Sequence, residues 1–215
     1  ITDDLLFGNV SITREQVAYE DENIILVNKI QGMCVHADND GDTDTLIEHI
    51  KAYLYRSGEF EPDKENTFVP ALANRIDRNT GGIVIAAKNA EALRILNQKI
   101  KDRELEKRYL CMVYGHLPKK EGEIRGYLFK DEVKKQVYVY DEPRKGAKTM
   151  LTKYRVIEEY CDSSLVEAKL ETGRTHQIRA GFAHIGHPLL GDGKYGTNEI
   201  NRRFRTVVRR CIRIS

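Results

Sequence analysis

The chain has 215 residues, of which 40% are hydrophobic and 32% charged, a balance that allows a sizeable buried core and excludes a disordered or fibrous chain. Its 35 basic residues nearly cancel 33 acidic ones, leaving a net charge of +2, so no global field attracts nucleic acid and such affinity has to come from local segregation of charge. Cys34, Cys111, Cys161 and Cys211 are scattered without a C-x-x-C pair, which argues against structural zinc or a redox motif, and no apolar stretch approaches the ~18 residues of a membrane span.

Residue 1 is Ile and begins no signal peptide, so the reading is of a trimmed cytoplasmic chain with reduced thiols. Residues 1–15 alternate weakly and read as a linker-like entry segment. Val17 to Tyr19 and Ile24 to Val27 flank Glu20-Asp21-Glu22-Asn23 and predict a hairpin-like strand pair. Thr45 to Leu54 sets Leu46, Ile47, Ile50, Tyr53 and Leu54 on one helical face, with Asp44 as N-cap and Gly58 as the stop. Glu59 to Thr67, polar and holding Pro62, reads as a loop.

The stretch from Pro70 to Lys88 sets Asp77 between Arg75 and Arg78, ahead of Asn79-Thr80-Gly81-Gly82 and the run Ile83-Val84-Ile85-Ala86-Ala87. Polar turn residues leading into a β-branched run predict a loop entering a buried strand. Neighbouring guanidinium groups favour an ionised carboxylate, which suits a nucleophile or base. A surface ion pair beside a turn explains the same residues from composition alone.

Asn89 caps a predicted helix from Ala90 to about Ile100, and Lys101 to Arg108, dense in both charge signs, reads as a solvated connector. Tyr109 to Tyr114 and Gly122 to Phe129 follow as strands joined by a turn through Pro118, then Gln136 to Tyr140, Thr149 to Ile157 and Ser164 to Leu170, with a loop at Asp141 to Gly146. No repeat and no linker divides the chain, so residues 16–200 are expected to form one α+β domain, followed by a basic tail at 201–215. The tail carries Arg202, Arg203, Arg205, Arg209, Arg210 and Arg213, consistent with RNA-backbone binding or with a solvated end.

Leu170 to Gly196 is the second informative stretch. A tight turn at Thr172-Gly173 and a short helix from Thr175 to Ala183 place Arg174 and Thr175 in the first turn, where free N–H groups bind anions, and Arg179 about one turn further on. Arg179 has the fork that grips a carboxylate at two points. A capped helix with a solvated basic face fits the same pattern. His176, His184 and His187 lack the spacing of a zinc site, so they are read as satisfying loop backbone or packing.

Three ordered blocks carry a more specific signal: Asn74-Arg75-Ile76-Asp77 with Thr80 to Lys88; Lys107-Arg108-Tyr109 through Val113-Tyr114-Gly115; and Gly173 to Gly196 with GRTHQIR and GHPLLGD. Over roughly residues 17 to 200 the chain resembles the RluA family of RNA pseudouridine synthases. The resemblance implies that Asp77 is the catalytic aspartate, that Tyr109 stacks on the target base and is placed for proton removal, and that Arg179 pairs with the aspartate. Arg75 matches the arginine that extrudes the base or fills its space, and Arg174, Thr175, His176 and Gln177 are the further substrate-binding residues. It implies a pseudouridine synthase fold with a central mixed, largely antiparallel sheet, flanking helices and a cleft across the sheet. No cofactor and no metal are expected. The chain departs from the family at Asn74 and Gly181, where the family has His, and at Gly81, where it has Ser; it also shows no S4-type domain, and its arginine-rich end replaces the family's usual last strand.

The function so implied is isomerisation of specific uridines to pseudouridine, in 23S ribosomal RNA of a bacterial cytoplasm, by a monomer with no membrane partner. A transfer RNA synthase of the same family, a non-catalytic RNA-binding or ribosome-assembly module, and an Asp77-dependent hydrolase are the alternatives; the last lacks an evident second carboxylate.

Overall fold

The run Ile83-Val84-Ile85-Ala86-Ala87 lies inside a sheet covered on both faces, which is why it shows no polar alternation. The computed structural model describes residues 10–37, 44–64 and 67–204. The chain divides into two units, Ile1–Leu105 and Glu106–Ser215. The sequence reading expected no such split, because the boundary falls in the short charged connector and no Pro, Gly or Ser-rich stretch marks it.

In the first unit, β1 (Val17–Glu20), β2 (Ile24–Lys29), β3 (Ala71–Leu72) and β4 (Gly82–Ala87) pair antiparallel in the order β1-β2-β4-β3. The predicted hairpin is present, and Asp21 Oδ1 accepts from the backbone N–H groups of Asn23 and Ile24, both at 2.8 Å, to close its turn. Register places Ile25 beside Ala86 and Val27 beside Val84, and this face packs on Leu46, Ile50 and Leu54 of α1 (Leu46–Arg56). Ile24, Ile85 and Ala87 face Ala92, Leu93 and Leu96 of α2 (Ala90–Lys101), which Asn89 caps as predicted through Ala92 N–H. Asp44 is not the cap of α1. The N–H groups of Leu46 and Ile47 donate instead to the carbonyls of Cys34 and Val35, while Asp44 bonds His49 Nε2 at 2.8 Å. Of the linker-like entry segment, residues 10–15 are described, and Ile12 is buried in the α1 core.

Lys29 ends β2 and is 1% exposed, an unusual burial for an ammonium group. Its Nζ donates to the carbonyls of Ile30, Met33 and Arg78 at 3.0, 2.9 and 3.0 Å. Burial pulls its pKa down to about 8, against the opposing pull of Cys34 and Asp77, so it is still protonated at neutral pH. The ammonium thus closes a polar tie between the end of β2 and the loop that carries Asp77.

In the second unit, β5 (Arg108–Tyr114), β6 (Glu121–Asp131), β7 (Gln136–Tyr140), β8 (Lys148–Tyr160) and β9 (Ser163–Leu170) pair antiparallel in the order β5-β9-β8-β6-β7. The strands thus form two sheets among the described residues, and β5 and β6, adjacent in sequence, are separated by β9 and β8. One face is covered by α3 (Gln177–His184), whose Ala180 and Phe182 pack with Cys111, Val113, Val166 and Ala168. A Cβ at Gly181 would meet Met150 Cε at 3.2 Å, so the absent side chain lets α3 lie close to the sheet. Beyond β5, residues 188–190 extend the pairing through Tyr114 N–H to Pro188 and Leu190 N–H to Met112. A helix the sequence reading missed, α4 (Asn198–Arg203), holds Arg202 and Arg203 of the basic tail; Arg205, Arg209, Arg210 and Arg213 lie outside the described residues. No helix among the described residues is long and apolar enough to cross a membrane.

Replacing Lys29 with Met leaves three carbonyls without their donor and is expected to lower stability by about 2 kcal/mol or more. Urea unfolding and hydrogen exchange at the Gly32 amide measure it; an unchanged midpoint with unchanged Gly32 protection would show that the tie contributes nothing.

Candidate active site

In the first unit, the loop between β3 and β4 is held at both ends before Asp77 is placed. Asn74 substitutes its amide for a strand partner: Oδ1 accepts from Ile85 N–H at 2.8 Å and Nδ2 donates to the Ile83 carbonyl at 3.3 Å. This is a use for the residue that departs from the family's His. After Asp77, Thr80 N–H donates to the Asp77 carbonyl at 3.0 Å, and Gly82 enters β4 at φ +130°, open to glycine alone without strain. Arg78 is fastened to Gly32 in both directions, its carbonyl accepting from Gly32 N–H at 2.9 Å and its Nε donating to the Gly32 carbonyl at 2.8 Å. With Lys29 on the same Arg78 carbonyl, the residue next to Asp77 has little freedom. Asp77 is half-buried and Arg75, in the same loop, is exposed.

In the second unit, Tyr109 stands opposite Ala168, so its side chain emerges on the sheet face that α3 covers. Arg179 rises from α3 on that face. Its Nε and Nη2 donate to Oδ2 and Oδ1 of Asp192 at 2.7 and 2.9 Å, a two-point grip. Asp192 is buried and its Oδ1 also accepts from the N–H groups of Lys194 and Tyr195. Burial pushes the Asp192 pKa up, but hydrogen bonds and charge from Arg179, with the two backbone N–H groups, bring it below the ordinary carboxylate value. The Tyr195 ring lies under the guanidinium, 5.2 Å from Cζ to centroid. Asp192 and the ring below fix the plane of the guanidinium.

The turn before α3 differs from its prediction. The helix begins at Gln177 and not at Thr175, because His176 sits in the left-handed region at φ 53°. Gln177 is buried and its amide is fully engaged: Oε1 accepts from Thr172 Oγ1 and Arg174 N–H, and Nε2 donates to the Leu151 carbonyl and Thr152 Oγ1. Such an amide holds a turn together and is not presented to a substrate, and it also takes the Arg174 N–H that the anion-site reading assigned to a ligand. Arg174 Nε reaches the Thr149 carbonyl at 3.3 Å, Thr175 is exposed, and His176 Nδ1 bonds the Tyr195 hydroxyl at 2.7 Å. His184 and His187 are likewise engaged, with Asp141 and the Tyr114 carbonyl. Sequence reasoning missed Asp192, Tyr195 and Lys29; the first two lie inside the quoted Gly173 to Gly196 block, but no spacing rule announces a carboxylate that serves an arginine.

A family model described as RNA pseudouridylate synthase matches residues 23–184. The chain is 33% identical over 180 residues to ribosomal large subunit pseudouridine synthase D of Borreliella burgdorferi, which covers 84% of this chain and 54% of that protein. It is 34% identical to the synthase of the same name from Zymomonas mobilis, covering 86% and 56%, and 30% identical to ribosomal large subunit pseudouridine synthase C of Escherichia coli, covering 90% and 57%. The chain therefore spans about half the length of the curated relatives it matches. The solved structure of human RNA pseudouridylate synthase domain containing 1 matches with a TM-score of 0.70 at 22% identity, covering 93% of this chain and 76% of that one, a likeness of fold. The α+β architecture, the matched interval, which takes in Pro70 to Lys88 and the first part of Leu170 to Gly196, and the identity to these relatives establish that the chain belongs to the RluA-type family of RNA pseudouridylate synthases.

Proposed function

We propose that the chain isomerises specific uridines of RNA to pseudouridine, with Asp77, Tyr109 and Arg179 as its catalytic residues. The observation that carries this reading is that each of the three sits on a segment fixed by its own hydrogen bonds, in a chain of this family: Asp77 on the loop tied through Arg78, Tyr109 on β5, and Arg179 against Asp192.

A uridine in structured RNA has to leave its stack before its glycosidic bond is accessible, and the lost stacking is offset by an aromatic ring, worth about 1 to 3 kcal/mol per base. Tyr109 supplies that ring, and Arg75, exposed beside Asp77, occupies the space the base leaves. Ionised Asp77 then either attacks the ribose anomeric carbon or removes the 2′ proton to give a glycal. In both routes the bond from N1 to the anomeric carbon breaks, the uracil turns, and a bond from C5 forms. The C5 proton leaves to the Tyr109 phenol or to a water held by Asp77, and N1 gains a proton, so the reaction balances as an isomerisation. Arg179 contributes an oriented positive charge to a carboxylate whose reactivity depends on staying charged, and Asp192 acts through it as a positioning residue. Arg174, Thr175 and His176 contact the RNA, whereas Gln177 serves them from inside.

Relatives named for the ribosomal large subunit favour 23S ribosomal RNA over transfer RNA as substrate; we take the chain to act on it as a monomer in a bacterial cytoplasm. Pseudouridine mapping of total RNA from a strain lacking the protein tests this. Loss at defined large-subunit positions, restored by the wild-type gene but not by Asp77→Ala, is the expected outcome; loss confined to transfer RNA would reassign the substrate, and an unchanged map would remove the activity. Asp192→Asn is expected to lower conversion at saturating RNA by about tenfold or more while changing RNA affinity little. Single-turnover assays beside binding titrations separate the two, and an affinity loss alone would assign Arg179 to substrate binding.

A further inference from the structure

The hairpin of β6 and β7, with the 141–148 loop beside it, is not explained by the chemistry above. Leu128, Val137 and Val139 of the hairpin pack into the core under α3, so the alternate residues face the other way. Register then sets Tyr127 beside Tyr140 and Phe129 beside Tyr138, giving a ladder of aromatic pairs on the sheet face opposite Tyr109. The Arg144 guanidinium lies over the Tyr140 ring at 4.3 Å. At the tip, Asp131 Oδ1 accepts from the N–H groups of Val133 and Lys134, and Val133 is 94% exposed, so the tip stands in solvent.

Charge is segregated here as nowhere obvious in the whole-chain balance. Residues 123–148 hold seven basic against five acidic side chains, an excess equal to the net +2 of the entire chain. Four of the five carboxylates are locally engaged: Glu123 pairs with Arg125, Asp131 closes the tip, Glu132 pairs with Lys130, and Asp141 bonds His184. Lys134 and Lys145 are exposed, and among the described residues no carboxylate pairs with them; Lys148, opposite Leu128, lies on the face that α3 covers. The outer edge of β7 is partly closed, since Val137 N–H donates to the Tyr195 hydroxyl and Lys194 Nζ to the Lys135 carbonyl, which disfavours a second copy adding a strand.

We propose that this hairpin and loop form a second RNA-binding surface, on which Lys134 and Lys145 bind phosphates of the strand flanking the target and Arg144 on Tyr140 offers a stacking plate. The identity of the nucleic acid rests on the isomerase reading; the electropositive aromatic surface does not. It anchors RNA on the sheet face away from Tyr109, by charge and by sequence-tolerant stacking.

The test is anisotropy of a fluorescein-labelled oligouridine of about 20 nucleotides titrated with the whole chain over a series of salt concentrations. A Lys134→Ala/Lys145→Ala variant is expected to bind at least about fivefold more weakly near 100 mM salt, with a shallower salt dependence by about 0.7 for each lost contact. A control variant, Lys101→Ala/Lys119→Ala, removes equal charge elsewhere and is expected to stay within about twofold of wild type. Equal loss in both, or wild-type binding by the hairpin variant, overturns the proposal. So does a wild-type dimer in sedimentation that the hairpin variant dissolves, which would make the surface a self-association face. Conversion assays with the same proteins on total RNA from the strain lacking the protein keep the two readings apart. Hairpin-dependent binding without pseudouridine leaves the surface and removes the isomerase, whereas conversion with hairpin-independent binding does the reverse.

Discussion

The paired charges of Arg179 and Asp192 are the constraint from which the site in the second unit follows. A guanidinium on a surface helix samples many rotamers, and each lost rotamer is an entropic cost to any reaction that needs one of them. Here a buried carboxylate, held ionised by the guanidinium itself and by two backbone N–H groups, grips it at two points over an aromatic ring. The ordering is done during folding and is already complete when substrate arrives. The pair also joins α3 to the loop after β9 and α3, so packing of Ala180 and Phe182 under the helix and orientation of the arginine are one event.

The first unit holds its loop by a buried ammonium. Asp77 belongs to a loop, and loops are the mobile part of a fold, yet the carbonyl of the next residue accepts from both a buried ammonium and a backbone amide. Lys29 carries a charge into the interior because its hydrogens meet three carbonyl oxygens that would otherwise be difficult to satisfy away from water. Both units therefore orient a singled-out side chain or its loop by burying a charge that is hydrogen-bonded.

Much of this was legible from residues alone, for physical reasons that also explain what was not. Strands β2, β4, β5 and β9 and helix α2 announce themselves through apolar period and capping, since burial on one or two faces leaves its mark on every residue of the element. The start of α3 was misplaced because nothing in its composition reveals a left-handed His176. Asp44 looked like a cap, but backbone carbonyls from a distant segment had already filled that role. Strand β3 covers only Ala71–Leu72, too short for any period, and the order that inserts β9 and β8 between β5 and β6 is set by long-range pairing. Asp77, Tyr109 and Arg179 were singled out through a family pattern. Asp192 and Lys29 were not assigned, because a residue that positions another is identified only once its partner is seen.

The central claim is that a uracil is detached and rejoined through its own C5, within RNA, by the charge on Asp77. RNA transcribed with tritium at uridine C5 and incubated with the purified chain reports that event directly. The account predicts tritium released to water in step with pseudouridine retained in the polymer, none of it with Asp77→Ala. Tritium that stays on the RNA, or free uracil in the supernatant, would contradict it.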